Sequence, residues 1–142
     1  EGLGYYSRVR NLKKTAQIIV KDFNKRLPQN FIDLKSLPGI GDYTASALAS
    51  IVNKEPRACV DGNVVRVLSR ISNFHKEPYD TILKVKIKKI AADLIPTSHP
   101  GDFNQAIMEL GQKICRPLSP LCTLCPVKKS CKAHKKNESY LY

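Results

Sequence analysis

The 142 residues are 42% hydrophobic and 25% charged, enough apolar side chains for a packed core and too many for a disordered chain. Lys and Arg number 24 against 12 Asp and Glu, a net charge of +12. That excludes an acidic surface and points to a polyanionic partner, of which nucleic acid is the commonest, although a basic and inert surface has the same composition. No run approaches the ~20 apolar residues of a membrane span, and no signal peptide is visible, so no membrane partner is expected. The chain opens on Glu1 rather than Met and is expected to be part of a longer protein.

Leu12, Ala16, Ile19 and Phe23 recur at spacings of 4, 3 and 4, the stripe of an amphipathic helix, with Lys13, Lys14 and Lys21 outside it. Pro28 closes this region. Asn30 is placed to cap a short helix carrying Phe31, Leu34 and Leu37. Pro38-Gly39 breaks that helix. Asp42 is expected to cap the next, over 43–52, whose Ala45, Ser46, Ala47 and Ala49 permit close packing. After the loop at Lys54-Glu55-Pro56, the apolar Ala58, Cys59 and Val60 are too few for a strand. Asp61 then caps a helix carrying Val64, Val65, Val67, Leu68 and Ile71.

A helix after Pro78 sets Leu83, Ile87, Ile90, Ala91 and Leu94 on one face, with Lys84, Lys88 and Lys89 off it, and stops at Pro96. Asp102 is expected to cap a last long helix with Phe103, Ile107, Leu110 and Ile114 at spacings of 4, 3 and 4. Beyond Cys115 the periodicity disappears. With no internal repeat and no sheet pattern, the class is all-α. The chain divides into a helical lobe over 1–100, with a hairpin across 31–52, and a last helix with a cysteine loop and basic tail over 101–142.

Two short helices joined by LPGIG form a hairpin. Glycine supplies positive φ and lets another backbone come close. The amides that open the second helix lack intrahelical partners and point outward with the positive end of the dipole, which suits a phosphate oxygen and reads no base. An ordinary helix–helix turn has the same letters. Asp61 is likewise an N-cap first, a role worth about 1 kcal/mol. The amides and dipole at a helix N-terminus also hold a carboxylate as an anion, and a fixed anion is what a developing sugar oxocarbenium ion needs beside it.

Cys115, Cys122, Cys125 and Cys131 give C-x6-C-x2-C-x5-C. Four thiols at that density, outside a secretory context, read as a metal site rather than disulfides. Zinc and an iron–sulfur cubane both take four thiolates. Cys59 lies outside the pattern between apolar neighbours and is expected to be a buried thiol.

LPGIG followed by VDGNVVRVLSR resembles the helix-hairpin-helix DNA glycosylases of the endonuclease III superfamily, most closely their adenine glycosylase branch. GLGYYSRVRNL at 2–12 and FNQAIMELGQKIC at 103–115 are similar to the same branch. The resemblance implies that Asp61 is the carboxylate that stabilises the sugar cation or bonds to it briefly. Tyr43 stands where bifunctional relatives carry a nucleophilic lysine, so Schiff-base lyase chemistry is not expected. Asn63 matches an active-site hydrogen-bonding position and favours the adenine branch over a thymine-specific branch that also carries tyrosine. Tyr5 matches a side chain that wedges into the base stack. The DNA-facing set is then Tyr5, Arg8, Leu37, Gly39, Ile40, Gly41, Thr44 and Arg116. The four cysteines resemble the family's [4Fe–4S] loop, which staples the tail and holds Arg116, Lys128, Lys129 and Lys132 near phosphate.

The implied partner is double-stranded DNA with a mismatched or damaged base pair, in a bacterial cytoplasm or a eukaryotic nucleus or mitochondrion. The implied reaction flips adenine out of a pair with 8-oxoguanine or guanine and hydrolyses its N-glycosidic bond. In the family the protonating glutamate precedes GLGYY and an 8-oxoguanine-recognition domain follows. These 142 residues alone are therefore expected to form an incomplete glycosylase fold, weakly active or inactive. No motif reassigns that role to Glu55, Glu77 or Glu109. The oligomeric state is open, with a dimer through apolar surface left uncovered as one expectation. A non-catalytic DNA-binding module with a structural metal, a thymine or oxidised-pyrimidine glycosylase, and a small zinc-bound interaction domain are the alternatives.

Overall fold

A computed structural model describes residues 6–74 and 80–140, and among these there is no β-strand. Tyr5 and the rest of GLGYY before Tyr6, Glu77 and Pro78 lie outside the described residues.

The first helix, α1 (Tyr6–Asp22), starts well before the periodic stripe and ends well before Pro28. Its last turn is closed by Lys25 N–H donating to the Ile19 carbonyl at 3.0 Å, with Asn24 and Lys25 both in the left-handed region. The stripe does not define the packed face. Leu12 is 70% exposed, Ala16 is exposed, and the buried residue is Thr15. The reason is what α1 packs against. Thr15 Oγ1 donates to the Pro38 carbonyl at 2.9 Å, and Asn11 sits against Gly39. The helix docks on a turn of bare backbone, so polar side chains that can satisfy carbonyls face inward.

The hairpin is α2 (Phe31–Ser36) and α3 (Asp42–Ala47), the latter running on into a π-helical turn, Leu48–Val52. Asn30 caps α2 as expected, accepting from Asp33 N–H at 2.9 Å. Leu34, Ala45 and Ala49 are wholly buried between the helices, with Phe31, Ile40 and Leu48 packed around them. The expected cap at Asp42 is not formed. Gly41 is the N-cap, and Asp42 lies in the first turn with no capping bond. Its carboxylate instead meets Lys35 Nζ at 2.6 Å and Lys88 Nζ at 3.2 Å. Past the π turn, the loop is latched back onto the start of α2. Glu55 Oε2 accepts from Phe31 N–H at 2.9 Å, and the Arg57 guanidinium stands 4.1 Å from the Phe31 ring centre.

The larger core joins α4 (Gly62–Ser72), α5 (Thr81–Leu94) and α6 (Pro100–Lys113). Val64, Val65, Val67 and Leu68 of α4 pack with Leu83, Ile87 and Ala91 of α5 and Ile107 of α6. Asp80 caps α5 through Leu83 N–H at 2.8 Å. The expected cap at Asp102 is displaced. The helix begins earlier, at Pro100, with His99 as N-cap, because proline has the helical φ and no N–H to leave unpaired. Asp102 sits in the first turn, where an acid suits the dipole.

Two glycines let α6 come close to its neighbours. A Cβ on Gly101 would lie 2.8 Å from Ile51 Cα in the π turn, and one on Gly111 would lie 2.7 Å from Asn63 Cβ. Beyond α6 the chain turns through two short 3₁₀ segments, Cys122–Leu124 and Lys128–Ser130, into α7 (Lys132–Lys135), which is pinned by the buried Ala133. No described helix is long and apolar enough to cross a membrane.

The two glycines of the hairpin turn are not equivalent. Gly39 has φ +82°, and a Cβ there would lie 2.8 Å from Asn11 Cβ; Gly41 has nothing within 4 Å of that position. Gly39→Ala should lower unfolding free energy by about 1–3 kcal/mol, whereas Gly41→Ala should cost less, about 0.5–1 kcal/mol, the N-cap difference between glycine and alanine. Urea titration of the two variants separates them.

Candidate functional site

Asp61 sits at the N-cap of α4, where the loop from the hairpin meets the core. Its Oδ1 accepts from Val64 N–H at 2.8 Å and its Oδ2 from Asn63 Nδ2 at 2.9 Å. Asn63 Oδ1 in turn accepts from Arg66 Nη2 at 2.8 Å, and Arg66 continues to the Gly111 and Cys115 carbonyls, each at 2.8 Å. The carboxylate is thus oriented by a chain of donors rooted in the far end of α6. Burial lowers the pKa of the Arg66 guanidinium, while Asp61 and Cys115 nearby favour its charge. Tyr43 faces the same centre. Burial raises its phenol pKa, and the Asp61 and Cys59 charges add to that, so the phenol keeps its proton at neutral pH. Its hydroxyl donates to Met108 Sδ at 3.3 Å, and the residue is 45% exposed, open to an incoming group.

The loop that delivers Asp61 is held from below by Asn104 on α6, which is 1% exposed. Its Oδ1 accepts from Cys59 N–H at 3.0 Å, and its Nδ2 donates to the Arg57 carbonyl at 2.8 Å and to Ser50 Oγ at 2.9 Å. One amide joins the π turn, the loop and α6 and uses both its nitrogen and its oxygen. Cys59 is buried as expected, 3.7 Å from Ser50 Oγ, and burial pushes its thiol pKa up.

On the other side of the hairpin, Arg8, Asn11 and Thr15 of α1 share a cleft with Gly39, Ile40 and Thr44. The residues read from sequence as a phosphate grip are therefore neighbours of Arg8. Gly41 is not among the cleft's residues but is the N-cap of α3, and Leu37 is the further exception. It is 2% exposed, so its side chain belongs to the core, and it serves the turn through a carbonyl that accepts from Ile40 N–H at 3.1 Å. Asp42 places an acid in the first turn of α3, where it would repel phosphate. Lys35 and Lys88 counter it and hold its pKa below the ordinary aspartate value, the Lys35 hydrogen bond contributing most. Arg116 is exposed and donates to the Ser119 carbonyl at 3.1 Å.

Cys115, Cys122, Cys125 and Cys131 are free thiols that line one small cavity, together with Arg70, Lys128 and His134. Burial pushes the Cys125 thiol pKa up, and negative charge on the other three raises it further. Among the described residues, no three or more His, Cys, Asp or Glu are gathered closely enough to hold a metal ion; the thiols surround the cavity rather than meet at a point. Arg70, 1% exposed at the end of α4, donates to Cys115 Sγ at 3.3 Å and to the carbonyls of Cys115, Arg116 and Pro117 at 3.2, 2.7 and 3.0 Å.

Arg66, Arg70 and Asn104 escaped the sequence reading. The signal was there: two arginines four apart in a valine-rich helix, and an asparagine on the buried face that carries Ile107 and Gly111.

The helical body of the described residues is shared with solved DNA glycosylases and endonucleases. A thermostable thymine-DNA glycosylase superposes with a TM-score of 0.80 at 30% identity, over 91% of this chain and 59% of that one. An endonuclease III in non-covalent complex with DNA superposes with a TM-score of 0.73 at 27% identity, over 92% of this chain and 59% of the other. The model of the HhH-GPD superfamily of base excision DNA repair proteins matches residues 1–94, and the chain belongs to that family.

Among curated relatives, the adenine DNA glycosylase of Homo sapiens is 43% identical over 138 residues, 96% of this chain and 25% of that protein. The adenine DNA glycosylase of Schizosaccharomyces pombe is 42% identical over 135 residues, 94% of this chain and 29% of its own length. That of Buchnera aphidicola from Acyrthosiphon pisum is 40% identical over 141 residues, 98% and 40%. The chain thus spans between a quarter and two-fifths of these relatives.

Truncating the Asn104 amide leaves the Cys59 N–H and the Arg57 carbonyl buried without that partner. Asn104→Ala should cost about 2–6 kcal/mol of stability, from about 1–3 kcal/mol for each of the two groups. Chemical denaturation checks this, with Gln105→Ala on the exposed face of α6 as the neutral comparison.

Proposed function

We propose that this chain is the hairpin-and-cluster part of a monofunctional adenine DNA glycosylase. Relatives that bear that name match almost all of it at 37–43% identity, and the observation that carries the reading is the Asp61 carboxylate, hydrogen-bonded at a helix N-terminus beside Tyr43 where a lyase would need an amine. The α3 amides and Arg8 hold the phosphates of a duplex carrying a mispaired base. Tyr5, in this reading, wedges the stack while the base is extruded, a step that costs a few kcal/mol and is easiest at a mismatch.

The chain's own groups serve the sugar side of the cleavage. The electron pair of the N-glycosidic bond leaves with the adenine, which takes up a proton, and positive charge builds on the sugar. Asp61 is the fixed anion beside that charge, and Asn63 keeps its second oxygen in place. Water adds to the sugar carbon and yields an abasic site. Tyr43 keeps its proton and offers a hydrogen bond, with no covalent imine. Two of the chain's glutamates are occupied elsewhere: Glu55 bonds Phe31 N–H and Arg57, and Glu109 pairs with Lys113. Neither is given the role of protonating the base, which the family resemblance places on a glutamate ahead of GLGYY.

The four cysteines fit a [4Fe–4S] cluster. They line one cavity rather than meet at a point, their soft sulfurs suit iron, and Arg70 already donates to one of them. When bound, the cluster would supply a rigid staple for the loop. Cys115, Cys122, Cys125 and Cys131 would ligate it. A thymine-specific reading is favoured only by Tyr43 and by the likeness to the thymine-DNA glycosylase; Asn63 and the identity to adenine enzymes weigh against it.

The test is a chimaera in which these residues replace the matching segment of a relative's adenine glycosylase. Single-turnover release of adenine from an A:8-oxoguanine duplex is expected, falling roughly 10²–10³-fold in Asp61→Asn with duplex binding retained, the range for losing one transition-state contact. An unchanged rate in that variant would sink the assignment.

The charge arrangement at the hairpin gives a second check. Asp42→Asn should tighten duplex binding by the chain about fivefold at low salt, the factor matching ~1 kcal/mol for one surface charge, with a steeper fall of log K against log salt. A slope unaffected by the change would remove α3 from the DNA interface.

A further inference from the structure

Arg70 has no part in the chemistry above, yet it is the most completely enclosed charge beside the four cysteines. We propose that Arg70 is a positioning residue for the cluster, and that its guanidinium, by donating to Cys115 Sγ, raises the cluster's reduction potential. This rests on reading the four cysteines as an iron–sulfur site.

Three observations carry it. First, the contacts are arranged along the ligand loop. Nη1 reaches the Cys115 sulfur at 3.3 Å, the Cys115 carbonyl at 3.2 Å and the Arg116 carbonyl at 2.7 Å, while Nη2 reaches the Pro117 carbonyl at 3.0 Å. A planar fork is suited to gripping consecutive backbone oxygens, and lysine cannot reproduce it. Second, the residue touches both ends of the ligand set. Its side chain meets the first cysteine, and its own carbonyl faces Cys131 Sγ, the last, at 3.5 Å. Third, it is 1% exposed and lines the same cavity as all four thiols. Carbonyls are neutral partners and would be served by neutral donors. A buried cation is costly to keep unless anions answer it, and cysteines that ligate a cluster would supply them as thiolates.

The consequence follows from charge. A hydrogen bond to a ligating sulfur withdraws electron density from it, and a fixed positive charge close by favours whichever state of the cluster holds one more electron. One electron moves between the cluster and an external donor or acceptor, no proton moves, and no bond in the protein is made or broken.

The experiment uses the full chain, reconstituted anaerobically with iron and sulfide. Metal analysis and absorbance near ~400 nm first establish what is bound, as for a cubane site. Zinc in place of iron would end the cluster reading and this proposal together, before any potential is taken. Film voltammetry, normalised to loaded cluster, then compares wild type, Arg70→Lys and Arg70→Met. The midpoint potential should fall in Arg70→Lys and fall further in Arg70→Met. For Arg70→Met the oxidised-to-reduced ratio at the wild-type midpoint should rise at least tenfold, about 59 mV for one electron.

Equal potentials in all three, with loading reduced, would mean that Arg70 only props up the loop, and the proposal would fail. If Arg70→Met does not load, Arg70→Lys decides. If neither loads, pulsed EPR of the paramagnetic cluster in wild type with ¹⁵N-labelled arginine decides: coupling to a guanidinium nitrogen supports the contact, and its absence overturns it.

Discussion

The backbone carbonyl of Cys115 is the point on which the two functional ends of the molecule converge. Arg66 Nε and Arg70 Nη1, one turn apart on α4, both donate to it, at 2.8 and 3.2 Å. Hydrogen bonds from charged donors contribute about 1.5–3 kcal/mol each, and here two fall on one oxygen at the end of α6. They fasten α4 to the first residue of the cysteine loop. That loop has little regular structure and few buried side chains of its own, so its position depends on this attachment. Gly111 makes the approach feasible, since any side chain there would strike Asn63. The same arginine that reaches Cys115 also orients Asn63, and Asn63 orients Asp61. The valine core, the capping carboxylate and the thiol cavity are therefore one mechanical unit built on a single helix.

The hairpin lobe follows a different logic. Its own core is small, Leu34 with Ala45 and Ala49, and much of its definition comes from polar contacts with neighbouring segments: Thr15 to Pro38, Asn53 to Gln29, Glu55 to Phe31, Lys88 to Asp42. Small residues along α3 keep the helices close, and the surrounding polar bonds keep the turn in one conformation. In its proposed role as a phosphate grip the turn would benefit from that: amides already aimed leave little ordering to be done on binding.

The features legible in the sequence were those governed by local rules. Asn30, Asp61 and Asp80 precede apolar helical runs and do cap them, although the sequence reading named only the first two. The buried faces of α4 and α5 follow their apolar spacing, and the cysteine spacing gathers four thiols around one cavity. The failures were tertiary. Asp42 has a cap-like position, but lysines from α2 and α5 draw it away, and neither can be foreseen from its neighbours in sequence. Asp102 lost the cap to a proline that starts the helix sooner. The apolar stripe of α1 identifies a helix and the wrong face, because α1 packs on exposed backbone that asks for Asn11 and Thr15. Leu37 sits in the motif, but its side chain serves the core. The buried arginines and Asn104 are hardest to read, since polar residues usually signal surface; only their partners, more than forty residues away, explain them.

The π turn at Leu48–Val52 carries a consequence for how this segment can vary. A π turn holds one residue more than an α turn, and each residue advances a helix by about 100°. The extra residue lies between the part of the hairpin helix that carries Tyr43 and the loop that ends at Asp61. Excising one residue here would restore a regular helix and rotate one of those groups away from the other, even if every contact residue were kept. Gly101 lies against the Ser50 and Ile51 backbone across this turn, so an insertion has no room to bulge toward α6. Length, here, is under the same constraint as side-chain identity: the segment tolerates substitutions at its exposed positions far better than any change in the count.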